Sequence, residues 1–160
     1  MTPPLATLVK LRSALAECDR HLARLRYASG AGARLFPLDA PGLAALDDPD
    51  ITLLDQMLFR FGKLQDAMGG RLFPALLEAG QDWRREDTFL DRLNRLEQLG
   101  AIADADAWVR LRELRNNAMH EYPDQPDLNA ANLNRIHAAV PELASALASA
   151  RAFAGERFGA

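Results

Sequence analysis

Apolar residues recur every three to four positions along most of this chain, and the turn residues between them mark out helical stretches. The first is expected from about Pro4 to Ala28, with Leu5, Leu8, Leu11, Leu15, Leu22 and Leu25 at helical spacing, stopping near Ser29-Gly30-Ala31-Gly32. Residues 30–49 read as a long ordered loop with one short turn, because Pro37, Pro41, Gly42 and Pro49 interrupt any regular pattern. Asp50 is the expected cap of a second helix carrying Leu53, Leu54, Met57, Leu58, Phe61 and Leu64, with Gly69-Gly70 interrupting it and Pro74 kinking or restarting it. A third begins near Asp87, carries Phe89, Leu90, Leu93, Leu96 and Leu99, and ends at Gly100. A fourth starts at Asp104 or Asp106 and runs through Trp108, Leu111, Leu114 and Ala118 to about Tyr122, where Pro123 and Pro126 forbid continuation. The last starts between Asp127 and Asn129 and runs past Ile136, Val140, Leu143 and Leu147 toward Phe153, bent or divided at Pro141. No segment alternates like a strand and no repeat is present, so the expected fold is all-α, a bundle of about five helices.

Composition narrows the class. The 160 residues are 49% apolar and 26% charged, the balance of one folded domain spanning residues 1–160. The single cysteine, Cys18, excludes an internal disulfide and a thiolate metal cluster, and fits a small core or surface residue. The opening residues lack the apolar run of a signal peptide and no stretch is long enough to span a bilayer, so a cytoplasmic protein without membrane contact is expected. The net charge of −3 argues against a broadly basic nucleic-acid surface, and any RNA chemistry must use a local site. Lys10 and Lys63 are the only lysines among the 19 basic residues.

The richest chemistry lies in Arg115-Asn116-Asn117-Ala118-Met119-His120-Glu121-Tyr122. Projected on a continuous helix, Leu114, Ala107, Ala118 and Leu111 form the core stripe. Tyr122 lies two turns along from Arg115, and Asn116 and His120 are one turn apart on the opposite flank. A cation, an amide, an imidazole and a phenol then border one space. Histidine suits proton transfer near neutral pH, and arginine matches a pair of phosphate oxygens. The set suits phosphodiester cleavage by a ribose 2′-hydroxyl, with no carboxylate or Cys/His cluster pointing to a metal and no cofactor implied. Arg followed five residues later by His also fits an ordinary helix-end pair, with His120 favoured by the macrodipole and Arg115 in a salt bridge.

The string Leu114-Arg115-Asn116-Asn117-Ala118-Met119-His120-Glu121-Tyr122-Pro123 resembles the signature of the HEPN family, and in its Arg-x4-His-x-Tyr form that of the HepT-like branch. Leu90 to Ile102, Trp108 to Leu114, and Leu58-Phe59-Arg60-Phe61-Gly62-Lys63-Leu64-Gln65-Asp66 extend the likeness over residues 50–140. The resemblance implies a small helical bundle, a two-fold homodimer, and two Arg/His motifs facing one shared cleft. It implies metal-independent RNA cleavage in which Arg115 stabilises the phosphorane-like transition state, His120 transfers the proton and Asn116 holds the geometry. It further implies the toxin of a toxin–antitoxin pair of the MntA–HepT kind. A partner nucleotidyltransferase would silence it by AMPylation of Tyr122, whose added phosphate would occupy the place of the RNA phosphate. The alternative it leaves open is a non-catalytic binding partner of a minimal nucleotidyltransferase.

Other polar residues read more plainly. His21 and His137 lack partner patterns and fit surface or structural positions, and Trp83 and Trp108 fit packing or interface. Arg60, Lys63 and Asp66 fall on an exposed face of the second helix, either simply solvated or, for Arg60 and Lys63, lining the dimer cleft and lending it positive charge.

Overall fold

A computed structural model describes residues 2–160, and among them the regular structure is entirely helical. The elements are α1 (Leu5–Ala31), a 3₁₀ turn (Ala33–Leu35), α2 (Ala40–Ala44), α3 (Asp48–Ala67), a π-turn (Met68–Leu72), α4 (Phe73–Ala79), α5 (Phe89–Leu99), α6 (Ala105–Met119) and α7 (Pro126–Phe158). Helix α3, the π-turn and α4 follow one another without a break, so the expected five long stretches are present, with α2 as a short helix inside the expected loop. Gly69-Gly70 and Pro74 do not end the second stretch. The wider π-turn absorbs the glycines, and Pro74 follows it directly, where the altered bonding of that turn accommodates the missing N–H without ending the helix.

The helix starts follow side-chain capping. Asp47, not Asp50, caps α3: its carboxylate accepts the Asp50 N–H at 2.9 Å, and Pro49 occupies the first turn. Asp50 instead pairs with Arg34 and ties the preceding loop to α3. Thr88 and Asp91 form a reciprocal capping box on α5, and Gly100 ends that helix at φ 83°, a left-handed conformation that favours glycine. Asp104 caps α6, accepting from Asp106 and Ala107. Helix α7 continues through Pro141 and is not divided there; it extends to Phe158, five residues beyond the expected end.

The core runs the length of the bundle. Leu11, Leu15, Cys18 and Leu25 of α1 join Met57, Phe61 and Leu64 of α3 and Ile136, Leu143 and Leu147 of α7 in one buried cluster. Burial pushes the Cys18 thiol up to about 12, so it behaves as a small apolar residue. Trp108 of α6 is buried edge-on to Phe73, ring centroids 4.7 Å apart, while Trp83 stays partly exposed under the Arg92 guanidinium at 3.9 Å. His137 is structural, stacked on Phe36 at 4.0 Å. No helix among the described residues is long and apolar enough to cross a membrane.

Three asparagines in the first half of α7 hold the irregular segments. Asn134 clamps Leu38, accepting its N–H at 2.7 Å and donating to its carbonyl at 2.8 Å. Asn129 treats Tyr122 in the same way, at 3.0 and 2.9 Å. Asn132, itself buried, donates to the Asn117 carbonyl at 3.4 Å in the last turn of α6.

Candidate functional site

Helix α6 buries Ala105, Trp108 and Leu111, while Ala107, Leu114 and Ala118 are only half-buried. The helix thus rises out of the core toward its C-terminal end. It stops at Met119, three residues short of the expected Tyr122, and His120 is extended at φ −89°, ψ 126°. The projection that set His120 and Tyr122 on faces of the same helix as Arg115 is therefore corrected. Pro123 biases Tyr122 toward extended backbone, and Asn129 supplies the Tyr122 backbone with the partners a helix would otherwise provide. His120 caps the helix and Tyr122 lies on the segment beyond it, their ring centroids 6.3 Å apart.

Arg115 lies across α3 at Gly62. A Cβ on Gly62 would come within 3.2 Å of the Arg115 Nε, 3.5 Å of Nη2 and 3.8 Å of Cζ, so the absence of a side chain makes room for the whole guanidinium plane. Nη2 donates to Asp66 at 3.2 Å, one helical turn beyond Gly62, and Nη1 reaches the Asn116 side-chain oxygen at 3.5 Å. The Arg115 Nε is buried and finds no hydrogen-bond partner among the described residues. The head group is thereby positioned from two helices while its side chain stays 28% exposed. The salt bridge expected of Arg115 as a plain helix-end residue does exist, to Asp66, but its partner is on another helix.

Asn116 and His120 are exposed, and Tyr122 is half-buried. Asn116 and Arg115 are in contact; His120 and Tyr122 form a neighbouring pair on the following segment. Arg60 turns away from this group. Its Nη1 lies 3.0 Å from the His21 Nδ1, whose Nε2 faces Glu17 at 3.6 Å. Since arginine can only donate, Nδ1 is the acceptor and the imidazole is neutral with its proton on Nε2. Burial, the largest cause, lowers the His21 pKa from its ordinary value, and His21 is structural. Lys63 is exposed, and both Arg60 and Lys63 lie against the Phe59 ring, at 5.3 and 5.6 Å from its centroid.

A cleft of about 670 Å³ opens beside His120, between α2, α3, the end of α6 and the start of α7. Apolar side chains line most of it, and Phe59 and Met119 stand 49% and 55% exposed. Gly62 and Asp66, which seat the Arg115 guanidinium, are the partners that the sequence pattern did not reveal. Their signal was a glycine inside an otherwise strong helix, where it costs about 1 kcal/mol against alanine, followed one turn later by a carboxylate. Among the described residues, no group of three His, Cys, Asp or Glu side chains is arranged to hold a metal ion. No family model, curated protein or solved structure matches the chain.

Proposed function

We propose that this protein is a HEPN-type, HepT-like toxin: a metal-independent endoribonuclease held in check by a partner nucleotidyltransferase. The observation that carries the reading is Arg115, a half-exposed guanidinium fixed by Gly62 and Asp66, five residues before an exposed imidazole at an open helix end. In the proposed step the RNA 2′-hydroxyl oxygen bonds to the adjacent phosphorus, and the bond from phosphorus to the 5′-oxygen breaks. The 2′-hydroxyl proton passes to His120, which returns a proton to the departing 5′-oxygen, leaving a cyclic phosphate, a free 5′-hydroxyl and His120 in its starting form. Arg115 offsets the charge that builds on the phosphoryl oxygens, and Asn116, in contact with Nη1, orients it. Lys63, exposed against Phe59 on the same helix, adds positive charge near the site on an otherwise acidic chain, while Arg60 is taken up by His21. A two-fold homodimer is part of the proposal, as the resemblance to the HEPN family implies.

The Tyr122 hydroxyl makes no hydrogen bond among the described residues, while its backbone is clamped, so the phenol is presented on a fixed support. AMPylation would join the Tyr122 oxygen to the α-phosphorus of ATP with loss of pyrophosphate, setting a phosphate beside His120. Co-expression with a partner nucleotidyltransferase is expected to add one or more AMP masses to the peptide containing Tyr122, and none to a Tyr122→Phe chain. An unchanged peptide would refute that part.

Induced expression tests the main reading. Growth arrest with RNA fragments is expected for the wild type and for neither Arg115→Ala nor His120→Ala at matched protein levels. The exposed apolar side chains of Phe59, Met119 and Ile51 favour a second reading, a non-catalytic partner module for a nucleotidyltransferase. Harmless wild-type expression would select it.

A further inference from the structure

The cleft beside His120 extends well beyond what proton transfer needs. Leu43, Ile51, Leu58 and Leu133 wall it, and Phe59 and Met119 present their exposed faces to it. Its volume, about 670 Å³, lies within the roughly 300–1,000 Å³ of small-molecule sites. No lysine or arginine lines it, and its carboxylates are Asp55 and Glu121. A phosphate is disfavoured there by charge, whereas a flat uncharged ring fits the apolar walls.

The polar groups decide which ring. Asn129 spends one donor and its oxygen on the Tyr122 backbone, and Asn132 does the same with the Asn117 carbonyl and Arg135. Asp55 forms no hydrogen bond or ion pair among the described residues. It stands one turn before Phe59 on α3, so a carboxylate and an aromatic face share one wall. A carboxylate offers two acceptor oxygens side by side. Guanine alone among the four RNA bases presents two adjacent donors, N1–H and N2–H₂, on its Watson–Crick edge; adenine, cytosine and uracil each set a single donor group beside acceptors.

We infer that this cleft is a guanine-binding subsite in which Asp55 accepts from N1–H and N2–H₂ and Phe59 packs on the base. It would present a guanosine-flanked phosphodiester to Arg115 and His120. That role rests on the ribonuclease reading; the binding itself does not.

The test titrates the isotope-labelled full chain with guanosine, adenosine, cytidine and uridine, which carry no phosphate, and follows backbone amide signals. Guanosine is expected to shift the signals of Asp55, Phe59, Ala118 and Leu133 and to bind at least about ten-fold more tightly than the others. Asp55→Asn is expected to lose about ten- to hundred-fold for guanosine and to gain for adenosine, since an amide offers the donor and acceptor that adenine complements. A merely structural Asp55 would not move preference from one base to another. Equal response to all four nucleosides, or to none, would overturn the proposal. So would shifts that follow protein dilution instead of nucleoside, which would assign the cleft to a second copy of the chain. Cleavage of a mixed-sequence RNA separates the two readings. Guanosine binding without cleavage removes the nuclease and keeps the subsite, while cleavage without guanine preference does the reverse.

Discussion

His120→Ala is expected to lower RNA cleavage by about 10²–10⁴-fold, the usual contribution of a positioned general acid–base group. Arg115→Ala is expected to cost about 10²–10³-fold, because it removes the donor aimed at charge developing on the phosphoryl group. The two should not add, since both act on one transition state, and the double variant should resemble the worse single one. His120 makes no hydrogen bond among the described residues and lies exposed at the helix end, so its loss should leave stability within about 0.5 kcal/mol of the wild type. Initial rates on a short RNA, read beside thermal melts, check both statements. Wild-type rates for His120→Ala would end its assignment as the proton carrier, and a collapsed melt would show that it is structural instead.

Gly62→Leu should disable the site from the opposite helix. Even a single Cβ there meets the Arg115 Nε at 3.2 Å, and the further carbons of leucine occupy the space of the guanidinium itself. The arginine must swing off α3 and give up Asp66, while overpacking costs about 1–3 kcal/mol. Cleavage is expected to fall about as far as in Arg115→Ala, with the helical signal retained. Gly62→Ala is the milder control, because the helix gains propensity while the 3.2 Å contact takes some of it back. Full activity in Gly62→Leu would mean that the observed seat of Arg115 is not the working one.

The bundle was legible because its signals are local. Leucine spacing set α1 and α5, Gly100 ended α5, and an acidic cap opened α6. Errors came where long-range partners override local rules. Helix α6 looked continuous to Tyr122, but Pro123 can neither bond to the Met119 carbonyl four residues back nor leave Tyr122 helical, and Asn129 from α7 takes the freed Tyr122 backbone. Arg115 and His120 were singled out by type and spacing, whereas the pairing of Arg115 with Asp66 spans 49 residues and leaves no periodic trace. Arg60 read as an exposed cation because a helical projection cannot reveal that His21, 39 positions earlier, receives it. Of the two outcomes expected at Pro141, division does not occur: the helix continues without a break between buried Val140 and Leu143, so packing on both sides outweighs the lost bond.

The asparagine clamps couple regions far apart in the chain. Leu38, Asn117 and Tyr122 are each held by a side chain from the stretch of α7 between Asn129 and Asn134. Fraying of that stretch would release all three, and the hydrogen bond missing at Pro141 sets a natural break between it and the rest of the helix. Hydrogen exchange should therefore find the amides of Leu38 and Tyr122 opening together with the first three turns of α7, as one cooperative unit weaker than the bundle. The walls of the His120 cleft would then loosen as a set, and a ligand seated between them would slow exchange at all of these amides at once.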